Sequence, residues 1–83
     1  MDTQTIKSLI EKALPDAVVE VHGDDGVHFE ANVTSDAFAG KTRLARHRII
    51  NAALGDRMGG AIHALSLPKL KTHEEAAARG SQG

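Results

Sequence analysis

Cysteine is absent from this chain, and phenylalanine, tyrosine and tryptophan are almost absent. Without a thiol the chain can form no disulfide, no cysteine nucleophile and no cysteine-ligated zinc site, and it cannot hold an iron–sulfur cluster by itself. Phe29 and Phe38 are the two phenylalanines, and tyrosine and tryptophan do not occur. A net charge of −1 gives the chain as a whole no strong attraction for nucleic acid or an anionic membrane.

Long apolar runs are missing as well. No stretch approaches the ~18 consecutive apolar residues of a membrane-spanning helix, and the residues after Met1 lack the pattern of a signal peptide. We therefore expect a cytoplasmic protein that makes no membrane contact. The 83 residues suffice for one small domain, and a domain of this size buries only ~60–65% of its unfolded surface.

The first half of the chain predicts a helix and then a β-hairpin. Apolar residues recur at helical spacing after a cap at Asp2 or Thr3. Residues 17–22 and 27–33 are rich in β-branched residues and predict two short strands. The glycines and aspartates of residues 23–26 predict the turn that joins them.

The second half predicts four further elements: a helical turn at 35–38, a longer helix over 41–54, a strand over 61–67 and a final helix ending near residue 79. Pro68 is expected to end the strand, and residues 69–71 are expected to form a basic linker. Thr72 and Glu75 fit a capping box for the final helix. Since that helix lacks a large apolar side chain, we expect it to dock weakly.

This order, α-β-β-α-α-β-α, predicts the fold class. The hairpin strands pair antiparallel, and the helical crossover to the third strand favours a parallel, right-handed connection. We therefore expect an α+β fold with a three-stranded mixed sheet and helices on one face. We expect no enzyme and no catalytic residues, because no nucleophile–base set is recognisable and the chain has little room for a pocket of ~300 Å³.

The start of the longer helix is a candidate binding surface. Lys41, Arg43, Arg46, His47 and Arg48 place four formal positive charges and a histidine within eight residues. A helical wheel puts His47 and Arg48 opposite the apolar face. Such a surface can contact DNA phosphates, although a solvated helix face is the commoner meaning of this pattern. No aromatic residue on this helix could stack on single-stranded bases.

The histidines form a second candidate site, because five in 83 residues is a high share. His22 and His28 flank the hairpin turn, and His28 should be accessible since it alternates with Phe29. Two accessible histidines could bind zinc or copper, but no histidine spacing matches a local metal site. A structural or merely exposed histidine is the alternative.

Three motifs resemble those of the BolA family. F-x-G at 38–40, R-H-R at 46–48 and I-H-A-L at 62–65 follow His28-Phe29 in the family's order. The resemblance covers about residues 3–79 and implies a class II KH-like fold, so we expect a domain over 1–79 and a disordered tail over 80–83. No second glycine follows Gly40 to complete the G-x-x-G clamp, which argues against RNA binding in the KH manner.

The resemblance also implies a function. BolA-like proteins pair with monothiol glutaredoxins and share a [2Fe–2S] cluster, for which the glutaredoxin and glutathione bring the sulfur ligands. His63 matches the family's histidine ligand from the third strand, and His28 offers a second ligand, with His22 as a competitor. Imidazole can replace thiolate on one iron of such a cluster, and no cofactor is expected in the chain alone.

Two alternative functions remain open at this point. Some bacterial members of the family are regarded as DNA-binding regulators of stress response and morphology, which would use residues 41–48 on double-stranded DNA. An interaction domain without any metal is the third possibility.

Overall fold

The computed structural model describes residues 2–55 and 65–82, and from residue 79 onward it describes the backbone. Its elements are α1 (Thr3–Ala13), β1 (Val18–His22), β2 (Phe29–Thr34), a 3-10 helix (Asp36–Phe38), α2 (Arg43–Leu54), β3 (Leu65–Lys71) and α3 (His73–Gln82). This order confirms the predicted arrangement. Within the described ranges, no helix is both long enough and apolar enough to cross a membrane.

Side chains cap the first two helices, and the cap at Asp2 is one that the sequence predicts. Asp2 Oδ1 accepts a hydrogen bond from the Thr5 N–H at 2.8 Å and so begins α1. Thr42 Oγ1 accepts from the Ala45 N–H at 3.1 Å and begins α2. These caps satisfy backbone donors that the first turn of a helix leaves without partners.

The three strands form one mixed sheet in the order β1-β2-β3. β1 pairs antiparallel with β2, and β2 pairs parallel with β3, as the sequence predicts. One sheet face packs against α1 and α2, and the core side chains there are apolar and buried: Ile6, Ile10, Leu14, Val19, Phe29, Ala31, Val33, Phe38, Ile50, Leu54, Leu67 and Leu70. The opposite face is polar, and Ala76 of α3 borders a groove there.

The third strand differs from its prediction. The expected strand 61–67 was to end at Pro68, but β3 continues through Pro68 to Lys71. The expected basic linker 69–71 is therefore wrong, because these residues pair with β2. Residues 61–64 lie outside the described residues.

A bulge explains how β3 contains a proline. Glu30 pairs with Ser66, but Asn32 pairs with Lys69, so β3 holds one more residue than β2 between these pairs. β3 is at an edge of the sheet as described, and a proline in a bulge of an edge strand removes no required ladder donor.

Polar contacts dock the start of α3. Thr72 Oγ1 accepts from the Glu75 N–H at 3.0 Å, and Glu75 Oε1 accepts from the Thr72 N–H at 2.9 Å, which confirms the capping box. Arg46 donates to both Glu75 carboxylate oxygens at 2.7 and 3.1 Å. The predicted weak docking of this helix rests on its lack of a large apolar side chain. That prediction takes no account of the ion pair between Arg46 and Glu75. α3 also runs to Gln82, past the expected end near Arg79.

Asp16 connects two further segments to its own. Its Oδ1 accepts from the Ser35 hydroxyl at 2.6 Å, and its Oδ2 accepts from the Asp36 N–H at 2.7 Å. These hydrogen bonds, that from Ser35 first, lower the pKa of the Asp16 carboxyl. His73 Nε2 lies 3.0 Å from the Asp16 carbonyl oxygen, so the start of α3 is held to the segment between α1 and β1.

Candidate functional site

A groove of about 560 Å³ lies where the β1–β2 turn meets the beginning of β3. We call it the hairpin groove, and its main side chains are His22, Asp24, Asp25, His28, Glu30 and Leu65. Both hairpin histidines therefore line one open surface. They share it with three carboxylates, so the described part of the groove offers nitrogen and oxygen donors to a ligand.

The hairpin turn is held by local hydrogen bonds and contains two glycines with structural roles. Asp25 Oδ1 accepts from the N–H groups of Val27 at 2.9 Å and His28 at 2.8 Å. Gly26 has a φ of +73°, which other residues rarely adopt. A Cβ atom on Gly23 would lie 2.5 Å from the ring of the buried Phe29, so only glycine fits at this position without a shift of the ring.

His28 lies just before β2 and is accessible, as its position in the sequence predicts. Its side chain is 75% exposed, and its Nδ1 lies 2.8 Å from Asp25 Oδ2. The His28 side chain, followed by the backbone N–H groups of His28 and Val27, holds the pKa of the Asp25 carboxyl well below its usual range. Asp25 is not among the site residues predicted from the sequence, although a three-residue separation is typical of such local contacts.

Of the other two candidate histidines, only His22 lies within the described residues. His22 ends β1, is exposed, and pairs with Glu30 across the hairpin. His63 lies outside the described residues. Leu65 follows it by two residues, begins β3 beside Phe29 and lines the hairpin groove.

The basic helix start divides into exposed and engaged residues. Lys41, Arg43 and Arg48 are exposed, and no side-chain partner is recorded for them among residues 2–55 and 65–78. The Arg46 side chain is only 14% exposed. Besides binding Glu75, Arg46 donates to the Leu70 carbonyl oxygen at 2.8 Å, and its guanidinium carbon lies 5.8 Å from the centroid of the Phe38 ring. Arg46 therefore joins α2 to β3 and α3, and no local sequence signal distinguishes it from Arg43.

His47 also departs from its predicted place. It is partly buried rather than exposed, and its Nε2 is enclosed without a hydrogen-bond partner in the described structure. Of the five residues predicted to form the basic surface, three present their side chains to solvent.

The fold and the hairpin groove define a class of protein: a small α+β domain that offers imidazoles and carboxylates on an open surface. The sequence model of the BolA-like protein family matches residues 7–75, and the chain belongs to this family. The match confirms the resemblance that the three sequence motifs indicated.

Solved structures and curated relatives agree with this assignment. A BolA protein homologue from Coxiella burnetii is 45% identical with a TM-score of 0.80, covering 93% of this chain and 97% of that chain. The BolA domain of SufE1 from Arabidopsis thaliana is 37% identical with a TM-score of 0.69, covering 88% of this chain and 93% of that domain's chain. These likenesses confirm the α+β fold, and the class II KH-like assignment stays a prediction that the element order fits.

One curated relative has a name that states a function. The DNA-binding transcriptional regulator BolA of Vibrio cholerae is 43% identical over 47 residues, which cover 57% of this chain and 44% of that protein. The chain spans 61% of the length of BOLA2 from Arabidopsis thaliana and 52% of that of BolA-like protein 1 from Homo sapiens.

Proposed function

We propose that this protein is a non-catalytic adaptor in iron–sulfur trafficking or iron homeostasis. In this role it lends histidine ligands to a [2Fe–2S] cluster shared with a monothiol glutaredoxin and its glutathione. The observation that carries the proposal is the hairpin groove, in which His22 and His28 lie exposed beside Leu65. Leu65, which lines this groove, follows His63 by two residues in the sequence. We propose His63 as the principal ligand and His28 as the second.

The donor set of the groove fits half of a cluster site. The chain has no cysteine, so any thiolate must come from another molecule. Imidazole is an established replacement for thiolate on one iron of a [2Fe–2S] cluster, where it raises the reduction potential. The groove is open and leaves room for a second protein to complete the site. We propose the cytoplasm as the location, since glutathione keeps thiols reduced there.

Anaerobic reconstitution of the two proteins with glutathione, iron and sulfide tests this proposal. The measurement is the visible absorption and circular dichroism of the mixture, compared with those of the glutaredoxin alone. We expect the wild-type protein to change the spectrum, and His63→Ala to abolish that change. His28→Ala should alter the spectrum partly, since one imidazole ligand remains.

Two control variants test whether the spectral change is specific to the proposed histidine ligands. His22→Ala tests the competing ligand and should leave the spectrum unchanged, as should His73→Ala, which removes an imidazole remote in the fold. A wild-type spectrum from His63→Ala would show that the ligand assignment is wrong. A wild-type protein that leaves the glutaredoxin spectrum unaltered would refute cluster sharing itself.

We propose DNA binding as a second candidate function, because the start of α2 exposes three cations and a relative is named a DNA-binding transcriptional regulator. The proposed surface consists of Lys41, Arg43 and Arg48, which contact the phosphates of double-stranded DNA in a regulator of stress response and morphology. His47 and Arg46 contribute less, since one is partly buried and the other is already paired.

Retention on double-stranded DNA should fall steeply as salt rises if this second function is real. The double variant Arg43→Ala/Arg48→Ala should bind more weakly and reduce the slope of log affinity against log salt by about 2, or about 1 per lost phosphate contact. The double variant Lys7→Ala/Lys12→Ala on α1 removes the same charge elsewhere and is the matched control. Equal binding by the two double variants would exclude this surface.

A further inference from the structure

We propose that Asp25 is a positioning residue that makes His28, rather than His22, the second ligand in the hairpin groove. This inference rests on the proposed function, in which a hairpin histidine binds the shared cluster. The contact between Asp25 and His28 would select His28 over His22 as the ligand.

The contact between Asp25 and His28 determines which ring nitrogen is available. His28 Nδ1 lies 2.8 Å from Asp25 Oδ2. An ionised carboxylate only accepts hydrogen bonds, so Nδ1 must carry the proton of this contact. A neutral imidazole has one N–H, and its lone pair is then on Nε2, the free nitrogen of a side chain that is 75% exposed. A carboxylate behind a ligating histidine also makes the imidazole more basic.

The carboxylate is itself fixed by the turn. Oδ1 of Asp25 accepts from the backbone N–H groups of Val27 and His28, so both carboxylate oxygens are engaged. Gly26 supplies the positive φ that closes this loop. The ring of an exposed histidine would otherwise sample several rotamers, and fixing it in advance lowers the entropy lost when a ligand binds.

His22 has no comparable support in the described residues. It lines the same groove, but no hydrogen bond from its imidazole is recorded among the side chains of the described ranges. The other charged groups that line the groove are Asp24 and Glu30, and no contact from either to a ring nitrogen of His28 is recorded there. The two hairpin histidines therefore differ in preorganisation, although both are exposed.

Asp25→Asn is the sharpest test, because it can invert the tautomer without removing the turn. The asparagine Oδ1 can still accept from Val27 and His28, which leaves its NH₂ group facing Nδ1 of His28. That NH₂ group donates to Nδ1, so the ring proton moves to Nε2 and blocks ligation there. Asp24→Asn changes the neighbouring aspartate by the same atoms and is the matched control.

The first measurement uses the free protein, with imidazole ¹⁵N NMR at a pH where the rings are neutral. We expect the Nδ1–H tautomer at His28 in the wild type and in Asp24→Asn, and the Nε2–H tautomer in Asp25→Asn. Backbone amide spectra of each variant show whether the turn is retained. The same tautomer in the wild type and in Asp25→Asn would overturn the inference.

The second measurement is loss of the shared cluster to a chelator. Asp25→Asn should accelerate this loss by about tenfold, whereas His73→Ala, which removes an imidazole outside the groove, should not change it. If the wild type shares a cluster but Asp25→Asn releases it at the wild-type rate, Asp25 has no positioning role and the proposed function still stands. If the wild type shares no cluster, the proposed function fails, and the role of Asp25 in ligation fails with it.

Discussion

Replacing Phe38 with alanine is expected to lower the free energy of unfolding by about 3–5 kcal/mol. Phe38 is fully buried and is among the largest side chains of a thin core. A chain of this length has a total stability of roughly 4–12 kcal/mol, on the basis of about 0.05–0.15 kcal/mol per residue. The variant should therefore lose between about a quarter and all of that stability.

Urea denaturation followed by far-ultraviolet circular dichroism measures this loss. Leu44→Ala is the matched control, because Leu44 is a large apolar residue that remains 60% exposed. Its effect should stay within about 0.5 kcal/mol. A loss below about 1 kcal/mol for Phe38→Ala would mean that the 3-10 helix contributes little to the core.

Arg46→Ala is expected to lower the free energy of unfolding by about 2 kcal/mol. The guanidinium joins the Leu70 carbonyl oxygen and the Glu75 carboxylate, and it lies over the Phe38 ring. Its aliphatic part is covered as well, so packing is lost together with the charge. Glu75 is 46% exposed, which keeps the expected effect below that of a fully buried pair.

The pH dependence of this effect identifies its electrostatic part. The hydrogen bonds from Arg46 lower the pKa of Glu75 from 4.5 to about 2. Because the folded-state pKa is below the unfolded value, the stabilisation is present above pH 4.5 and is lost as the pH falls toward 2. The difference in stability between the wild type and Arg46→Ala should narrow over that window.

Arg43→Ala is the matched control for Arg46→Ala, since it removes an exposed arginine from the same helix and should have little effect. A difference between the wild type and Arg46→Ala that stays constant from neutral pH to acid would show that the ion pair does not contribute. The stability of Arg46→Ala also bears on the DNA experiment. Weaker DNA binding by this variant would reflect a changed fold rather than a lost phosphate contact.

Much of the fold was predictable because its signals are local. The cap at Asp2 and the capping box of Thr72 and Glu75 act between residues three apart, and the structure contains both. The hairpin follows from turn residues between two short β-branched runs. The parallel third strand follows from the handedness of helical crossovers.

The features that the sequence did not reveal depend on distant partners. Proline usually ends a strand. Here the bulge in the pairing with β2 and the edge position of β3 allow Pro68 to lie inside one. Arg46 resembles Arg43 until Glu75, 29 residues away, is placed beside it. His47 was misplaced because a helical wheel gives relative directions and not the width of the buried surface.

The candidate site was also predictable only where its signals are local. The hairpin brings His22 and His28 to one surface, as their positions on either side of the turn predict. The contact between Asp25 and His28 is local, but its meaning depends on the ring orientation, which residue spacing does not specify. The assignment of His63 as a ligand stays a prediction.

The bulge in β3 also affects whether a strand of another molecule can pair with this edge of the sheet. An open strand edge presents a row of N–H and C=O groups on which a foreign strand can assemble, and proline and lysine are residues that proteins place there to prevent this. β3 has Pro68 and Lys69 at such an edge, where the bulge interrupts the regular spacing of the row. The irregularity that obscured the strand in the sequence is thus of the kind that disfavours pairing of a foreign strand along this edge of the described sheet.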